Sequence, residues 1–379
     1  MRLSQVEYGP VTGAKIVRDV RVGDVAHGGH CVARHEGKVI FVRGSAPGEL
    51  VDVEITQDNA RYSRGTAVAV RDASDIRRVP PCPVAGSCGG CDFQHLDPAG
   101  ARALKSRVVA EQLRRVPGVH FDGVVRAAQP DDAGWRVRMR YEAAPDGTPG
   151  LRRHRSHDIV PVPPDGCRIA AAPIARPRVA GIAASTASGP VWAAASGQNA
   201  VVHERVGTRE FSVHLDGFWQ PHAAAPQVLT DAVLAHAVPR EGETALDLYC
   251  GVGVFAAALT DAGCRVTGIE GNREAVALAR TNVPEGTFHA GDVARTLTRI
   301  PPGTDVVVLD PPRTGAGPAV LRALCAHSPR VIVYVACDPA ALARDLLAAD
   351  AAGYRADVAA YDLFPNTHHV ECVATLRRA

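Results

Sequence analysis

Residues 244–256 read TALDLYCGVGVFA. Thr244–Leu248 is a short β-prone apolar run interrupted by one acid, Asp247. Gly251 and Gly253 follow, permitting a tight turn and a close approach of backbone to a ligand. From Val254 the pattern turns helical. A buried strand, a glycine turn and a helix start form the first half of a βαβ unit. The same alternation extends outward. PQVLTDAVLAHAV (226–238) reads as a helix before it. RVTGIE (265–270), TFHAGD (287–292), DVVVLD (305–310) and VIVYVAC (331–337) read as strands after it, with helices at 272–282, 318–327 and 339–352. ADVAAYDLF (356–364) and VECVATLRR (370–378) close the chain as an antiparallel hairpin. This predicts an α/β domain over 216–379 with a doubly wound, mostly parallel sheet.

Ligands of such sheets bind at the carboxyl ends of the strands. GVGVFA fits the dinucleotide pattern G-x-G-x-x-G/A, so a hydride-transfer cofactor is one reading. The acids argue otherwise. Asp247, Glu270 and Asp292 stand at three successive strand ends. A pyrophosphate site avoids such charge, whereas an amine and a sulfonium are drawn to it. S-adenosylmethionine is therefore the expected cofactor.

The next two strand ends carry chemistry. Asp310 is followed by Pro311-Pro312-Arg313, a stiff turn at the sheet mouth. Arginine only donates hydrogen bonds, which suits a carbonyl-bearing base such as uracil. VIVYVAC ends in Cys337, and Glu371 opens the last strand after FPNTHHV. A cysteine in that place is equally at home as a small core residue, and Glu371 as an exposed strand residue. Together they suffice for one reaction. A thiolate adding to carbon 6 of uracil makes carbon 5 nucleophilic. A donor steadies the oxyanion, and a base then removes the carbon-5 proton. Cys337, Arg313 and Glu371 supply these groups.

The N-terminal half is different. Five short β-rich runs over 15–71, separated by glycine turns, predict a small OB-like barrel spanning 1–73. Arg61, Tyr62 and Arg64 give it a basic-aromatic cluster suited to RNA. Residues 74–215 read as a β-rich central domain holding a good helix at 98–116, with Asp97 as N-cap and Pro98 in the first turn. Cys82, Cys88 and Cys91 form C-x5-C-x2-C, and Cys167 follows 76 residues on. Four thiols from turn-rich loops fit an all-cysteine site for zinc or an iron–sulfur cluster, and spacing does not choose between them. The other cysteines lie mostly in predicted strands or helices.

Composition excludes little. Of 379 residues 46% are hydrophobic and 22% charged, and the net charge of +2 announces no nucleic-acid partner. Basic charge is local instead: eight Arg and His crowd residues 136–157. Lysine occurs only at 15, 38 and 105, leaving 39 arginines among the 42 basic residues. Residues 1–10 show no apolar leader, and no apolar run reaches the roughly 18 residues that span a bilayer. A cytoplasmic protein with reduced cysteines and no membrane partner is expected.

The chain resembles the bacterial RNA uracil-C5-methyltransferases that carry a TRAM domain and a [4Fe-4S] cluster. The segment from Ala26 to Thr56 looks like a TRAM domain, and CPVAGSCGGCDFQHL with Cys167 like the cluster site. FWQPH, DLYCGVG, DPPR, ACDP and FPNTHHVE resemble the catalytic motifs in the family's order. The resemblance implies a class I methyltransferase domain and an iron–sulfur cluster rather than zinc. It assigns Gln220, Tyr249, Glu270, Asp292 and Asp310, beside Gly251 and Gly253, to the cofactor pocket. Cys337 matches the nucleophile and Glu371 the base. It also implies that helix 98–116 packs on the catalytic domain. The substrate is expected to be structured RNA, ribosomal before transfer RNA, and the protein a monomer. Two positions depart from the family: Val254 costs one cofactor contact, and Asp338 stands where an amide is usual and would raise the Cys337 pKa. On these, an RNA-binding module with a decayed catalytic half is the competing reading. The cluster, far in sequence from the catalytic edge, is expected to be structural.

Overall fold

The computed structural model describes residues 15–193, 200–297 and 300–379. Residues 1–14, which include the stretch 1–10 read above for a leader, lie outside them. Five strands form a closed barrel: β1 (Ile16–Val25), β2 (Cys31–His35), β3 (Lys38–Arg43), β4 (Leu50–Asp58) and β5 (Tyr62–Asp72), in the order β1-β2-β3-β5-β4. Alternating residues such as Val20, Val22, Val51 and Val53 fill its core. The barrel is bolted to the cysteine loop by polar groups. Buried Arg77 pairs with buried Glu49, and Arg43 donates to the carbonyls of Gly86 (3.3 Å) and Cys91 (3.2 Å).

Helix α1 (Pro98–Leu113) begins as its sequence demands, with the Asp97 side chain accepting from the Gly100 N–H at 2.7 Å. It leads into β6 (Val119–Ala127). The central strands are β7 (Arg138–Ala143), β8 (Pro149–Arg152), β9 (Ile159–Pro161), β10 (Gly181–Thr186) and β11 (Gly189–Ala193), paired as β11-β10-β7-β8-β9. A hairpin follows, β12 (Val201–Val206) with β13 (Arg209–His214).

The C-terminal half alternates as expected: α2 (Ala225–Ala237), β14 (Thr244–Leu248), α3 (Val254–Asp261), β15 (Arg265–Glu270), α4 (Arg273–Asn282), β16 (Thr287–Ala290), β17 (Val306–Leu309), α5 (Pro318–Ala326), β18 (Val331–Ala336), α6 (Pro339–Ala351), β19 (Tyr354–Asp362) and β20 (Glu371–Arg378). The sheet order is β16-β15-β14-β17-β18-β20-β19-β6. Strands β14 to β18 run parallel, and β20 is antiparallel to both neighbours. Strand order reverses beside β14, which makes the crevice at its carboxyl end the place for a ligand.

The contiguous division at residue 216 differs from this architecture. Strand β6 is the eighth strand of the large sheet, pairing parallel with β19. Val119, Phe121 and Val125 alternate along it and pack on the core, but the register shifts between Phe121 and Val125, so the run reads as too short for a strand of the large sheet. Val202, Phe211 and Val213 of the β12–β13 hairpin share a core with Leu229, Phe255 and Val276. A two-stranded hairpin has no core of its own, so its apolar face must be covered from elsewhere.

Helix α1 packs on β6 and α6, and its Lys105 is buried. Lys105 Nζ donates to Asp362 Oδ1 at 2.6 Å and to the Phe364 carbonyl at 3.0 Å. It thereby fixes the loop between β19 and β20. Lys105→Met leaves Asp362 a buried, unpaired carboxylate. A destabilisation of about 3–5 kcal/mol is expected, read from the shift of the urea unfolding midpoint.

Candidate active site

Chemistry-bearing residues converge on the carboxyl edge of the sheet. The turn after β14 is tight: Gly251 and Gly253 have φ of 53° and 92°, and Tyr249 is held left-handed at 60°. A side chain on Gly253 would also press Val283 at 3.2 Å. A non-glycine residue in this conformation stores about 1–3 kcal/mol, a strain that collects at functional sites. The Gly251 N–H donates to Glu270 Oε2 at 3.2 Å, joining the first two strand ends.

The turn faces an open cleft of about 1920 Å³. Gln220, Tyr249, Gly251, Glu270, Asp292 and Asp310 line it, as do Arg313, Cys337 and Glu371. Gln220 Nε2 lies 3.5 Å from Asp310 Oδ2. Gly253 acts from behind, as N-cap of α3. Asp247 is not on the wall. It is fully buried, and Oδ2 accepts from the Ala256 N–H at 2.9 Å to hold the glycine turn. Burial, with Asp310 and Glu270 adding and the Ala256 N–H opposing, raises its pKa well above the usual carboxylate value. Val254 opens α3 and packs against the core.

Carboxyl groups outnumber cations in the cleft. Asp216, Glu270, Glu274, Asp292, Asp310 and Glu371 face it, against Arg313 and two histidines. Such a wall accommodates an amine and a sulfonium and repels a pyrophosphate. The donor set thus fits S-adenosylmethionine and disfavours a dinucleotide.

Strand pairing brings Cys337 and Glu371 together. Ala336 of β18 lies opposite Cys372 of β20. One further step of that antiparallel register puts Cys337 across from Glu371, where side chains are neighbours. Burial, Glu371 and Asp310 push the Cys337 thiol up to about 12, with Arg313 opposing. Burial and Asp310 raise Glu371, again against Arg313, and burial raises Asp310. Arg313 is exposed, so its cation is free to meet a ligand.

The loop carrying Arg313 is held by groups that sequence pattern does not announce. The Tyr334 hydroxyl donates to Asp345 Oδ2 at 2.8 Å and accepts from the Ala316 N–H at 2.9 Å. The Gly317 N–H donates to the same Asp345 oxygen at 3.0 Å. Phe364 and His369 also line the cleft, with rings 5.8 Å apart. Burial lowers His369 to about 3, so it stands there as a neutral imidazole.

Asp338 behaves otherwise than its sequence position suggests. It caps α6, Oδ1 accepting from the Ala341 N–H at 2.8 Å, while Oδ2 meets His27 Nε2 at 3.1 Å. The charges that raise Cys337 are Glu371 and Asp310.

Cys82, Cys88, Cys91 and Cys167 line one largely apolar pocket with Val84, Leu151 and other residues. The Gly90 N–H donates to Cys88 Sγ at 3.4 Å. Burial raises Cys91 to about 12 and Cys88 and Cys167 upward, the other thiols adding to each. Among the described residues, no group of three or more Cys, His, Asp or Glu is arranged to hold one metal ion. Distance in sequence misleads about distance in space here. The N–H groups of Asp92 and Phe93 both donate to the Asn366 carbonyl, each at 2.9 Å, and His368 Nδ1 bonds to Asp92 at 2.6 Å. The cysteine loop thus braces the loop that leads to Glu371.

A groove of about 2100 Å³ runs between this loop and the barrel. Arg43, Arg64, Arg153, His154 and Arg155 line it. Arg64 lies over the rings of Phe41 and Tyr62, at 5.5 and 5.6 Å. The basic run at 136–157 therefore divides. Its end faces the groove, whereas Arg138 is turned inward to Glu204 at 3.3 Å. Among the described residues no helix is long and apolar enough to cross a membrane.

A Rossmann-like sheet with an acid-walled cleft, preceded by a closed barrel, defines a methyltransferase with an attached TRAM domain. Models of three families match: TRAM domain at 16–68, Methyltransferase small domain at 227–334 and tRNA (Uracil-5-)-methyltransferase at 303–379. The chain is 41% identical to an uncharacterized RNA methyltransferase of Streptomyces avermitilis, over 95% of this chain and 98% of the relative. It is 30% identical to the 23S rRNA (uracil(1939)-C(5))-methyltransferase RlmD of Shewanella sp. (strain ANA-3), over 94% and 95%. The solved tRNA (uracil-54, C5)-methyltransferase of Pyrococcus abyssi, in complex with S-adenosyl-L-homocysteine, shares the fold. Its TM-score is 0.74 at 23% identity, over 95% of this chain and 100% of that one. The chain belongs to the RNA uracil-C5-methyltransferase family.

Proposed function

We propose that this protein methylates carbon 5 of a uridine in structured RNA, ribosomal before transfer RNA, through a covalent adduct on Cys337. One observation carries the reading: Cys337, Glu371 and Arg313 meet on the wall of the cleft that also holds the acid-lined cofactor positions. S-adenosylmethionine supplies the methyl group when bound. Gln220, Tyr249, Glu270, Asp292 and Asp310, which line the cleft, would hold it. Cys337 Sγ adds to carbon 6 of the uracil ring, and the electron pair moves to oxygen 4, toward Arg313. Carbon 5 takes the methyl group. Glu371, in its ionised form, removes the carbon-5 proton, the ring double bond re-forms, and the thiolate leaves. The high thiol pKa means that ionisation of Cys337 accompanies substrate binding.

The decayed-module reading rested on Val254 and Asp338. Val254, partly buried, packs against the core and Asp338 caps a helix, which supports reading both as structural rather than as marks of decay. The groove suits an RNA backbone, and Arg64 suits stacked bases. Arg64→Ala is expected to weaken RNA binding alike for all sequences and to lower the salt slope by about one, measured by filter binding across salt concentrations. The four cysteines would hold a [4Fe-4S] cluster that braces the loop before Glu371. Their donor set, four thiols on an apolar wall, supports that reading. Anaerobically purified protein is expected to contain iron and acid-labile sulfide in equal amounts, with Cys88→Ser losing both. Zinc in their place would refute the cluster.

Substrate and activity are tested together by mass mapping of 5-methyluridine in total RNA from cells with and without the gene. Loss of one 5-methyluridine in ribosomal RNA is expected. An unchanged map would refute the reading.

A further inference from the structure

The nucleophile's turn is not held by the catalytic domain alone. Cys337 follows β18 directly and Asp338 is the N-cap of α6, so one residue's geometry fixes how the thiol is presented. Asp338 uses both carboxylate oxygens. Oδ1 caps α6 at the Ala341 N–H (2.8 Å), and Oδ2 faces Nε2 of His27 (3.1 Å), 311 residues away in the loop between β1 and β2 of the barrel. That loop is pressed against the site. A side chain on Gly29 would meet His368 Cβ at 2.6 Å and the Phe93 ring at 3.1 Å. His27, Gly28 and Gly29 close the far side of a pocket whose other walls include Arg313, Cys337 and His369. A second tie lies on the same side, Arg107 of α1 to Asp24 of β1 at 3.2 Å.

We propose that His27 is a positioning residue for the reaction: by bonding to Asp338 it locks the turn that presents the Cys337 thiol, so the barrel acts on the chemical step as well as on RNA binding. The argument has two parts. A capping aspartate has one oxygen more than the cap requires, and an oxygen left without a partner lets the turn that carries the thiol relax. A histidine facing that oxygen satisfies the spare acceptor and, when protonated, offsets its charge. The carboxylate itself holds His27 above the usual imidazole pKa. Displacement of a reacting group by about 1 Å can cost 10²-fold in rate, so the lock has kinetic consequences. The inference rests on the proposed function only for its effect on catalysis; the lock stands on geometry.

The test uses the full-length protein and three variants: His27→Ala, His27→Gln and Asp338→Asn. His27 is 41% exposed in its side chain, so His27→Ala is expected to fold with an unchanged Tm. Hydrogen exchange at the Ala341 amide is expected to be faster in His27→Ala and restored in His27→Gln, whose amide can donate to Asp338. With RNA and S-adenosylmethionine, kcat is expected to fall about 10-fold while both KM values stay within about twofold. His27→Gln should recover most of the rate. In an Asp338→Asn background, His27→Ala should add no further loss. Unchanged exchange at Ala341 would overturn the lock. A raised KM for RNA with unaltered kcat would overturn the positioning role and make the loop a binding element. If the wild type itself formed no 5-methyluridine, the proposed function would fail, while exchange at Ala341 would still decide the lock.

Discussion

Cys337→Ala is expected to abolish methyl transfer, by roughly 10⁴-fold or more, while S-adenosylmethionine and RNA bind as before. Carbon 5 of uracil becomes nucleophilic only when a group adds at carbon 6, and no neighbouring residue replaces the thiol. Cys372, paired across the sheet with Ala336, is fully buried in the core. Loss of a covalent nucleophile removes nearly the whole of the catalysis its partners provide, because they act as a unit. Cofactor affinity by calorimetry and RNA affinity by filter binding separate this loss from misfolding. The wild-type enzyme carries a related signature. Since its thiol sits near 12, the thiolate fraction rises with pH throughout the neutral and mildly alkaline range. The logarithm of kcat/KM should rise with it. A profile that falls from pH 7 to 9 would contradict a thiolate nucleophile.

Glu371→Gln is expected to separate the two halves of the reaction. The thiol still adds and carbon 5 is still methylated, but the carbon-5 proton stays. Turnover should fall about 10²–10⁴-fold, the range for loss of a general base. The covalent RNA–protein complex should accumulate on denaturing gels even with ordinary uridine. The same variant should gain stability at alkaline pH. Burial and Asp310 raise the Glu371 pKa in the folded state, so the native protein binds a proton that the unfolded chain releases near pH 4. Wild-type stability therefore falls as pH rises from the unfolded value through the folded one, whereas glutamine has no proton to lose. A higher Tm for Glu371→Gln than for wild type at pH 8 is the expected reading, and a lower one would contradict a buried, proton-holding carboxyl.

Much of this site was legible because parallel strands are buried on both faces and end abruptly. RVTGIE is β15 to the residue, and VIVYVA is β18. Once those ends are known, Asp310 and Cys337 fall on one edge by topology. Glu371 joins them because β20 runs antiparallel and begins there. What escaped reading was what acts across domains. Strand β6 is an edge strand whose alternation is broken by a register shift between Phe121 and Val125, and nothing in it announces a sheet partner more than two hundred residues away. Asp345 and Tyr334, which hold the Arg313 loop, look like ordinary members of a helix and a buried strand. Asp338 looked like a perturbing charge because sequence shows its neighbour Cys337 but not its hydrogen-bond partners, the Ala341 amide and His27. Lys105 left a faint trace. In a chain with three lysines among 42 basic residues, one buried against Asp362 marks a place where a compact ammonium fits.

The central claim is that Cys337 forms a bond to carbon 6 of a uridine. Incubating the wild-type protein with S-adenosylmethionine and 5-fluorouridine-substituted 23S ribosomal RNA tests it directly, because fluorine at carbon 5 cannot leave as a proton. Digestion and mass spectrometry should find a methylated fluorouridine attached to the peptide containing Cys337, and none with Cys337→Ala. An intact, unmodified Cys337 peptide from wild-type protein that nevertheless methylates unsubstituted RNA would contradict the account.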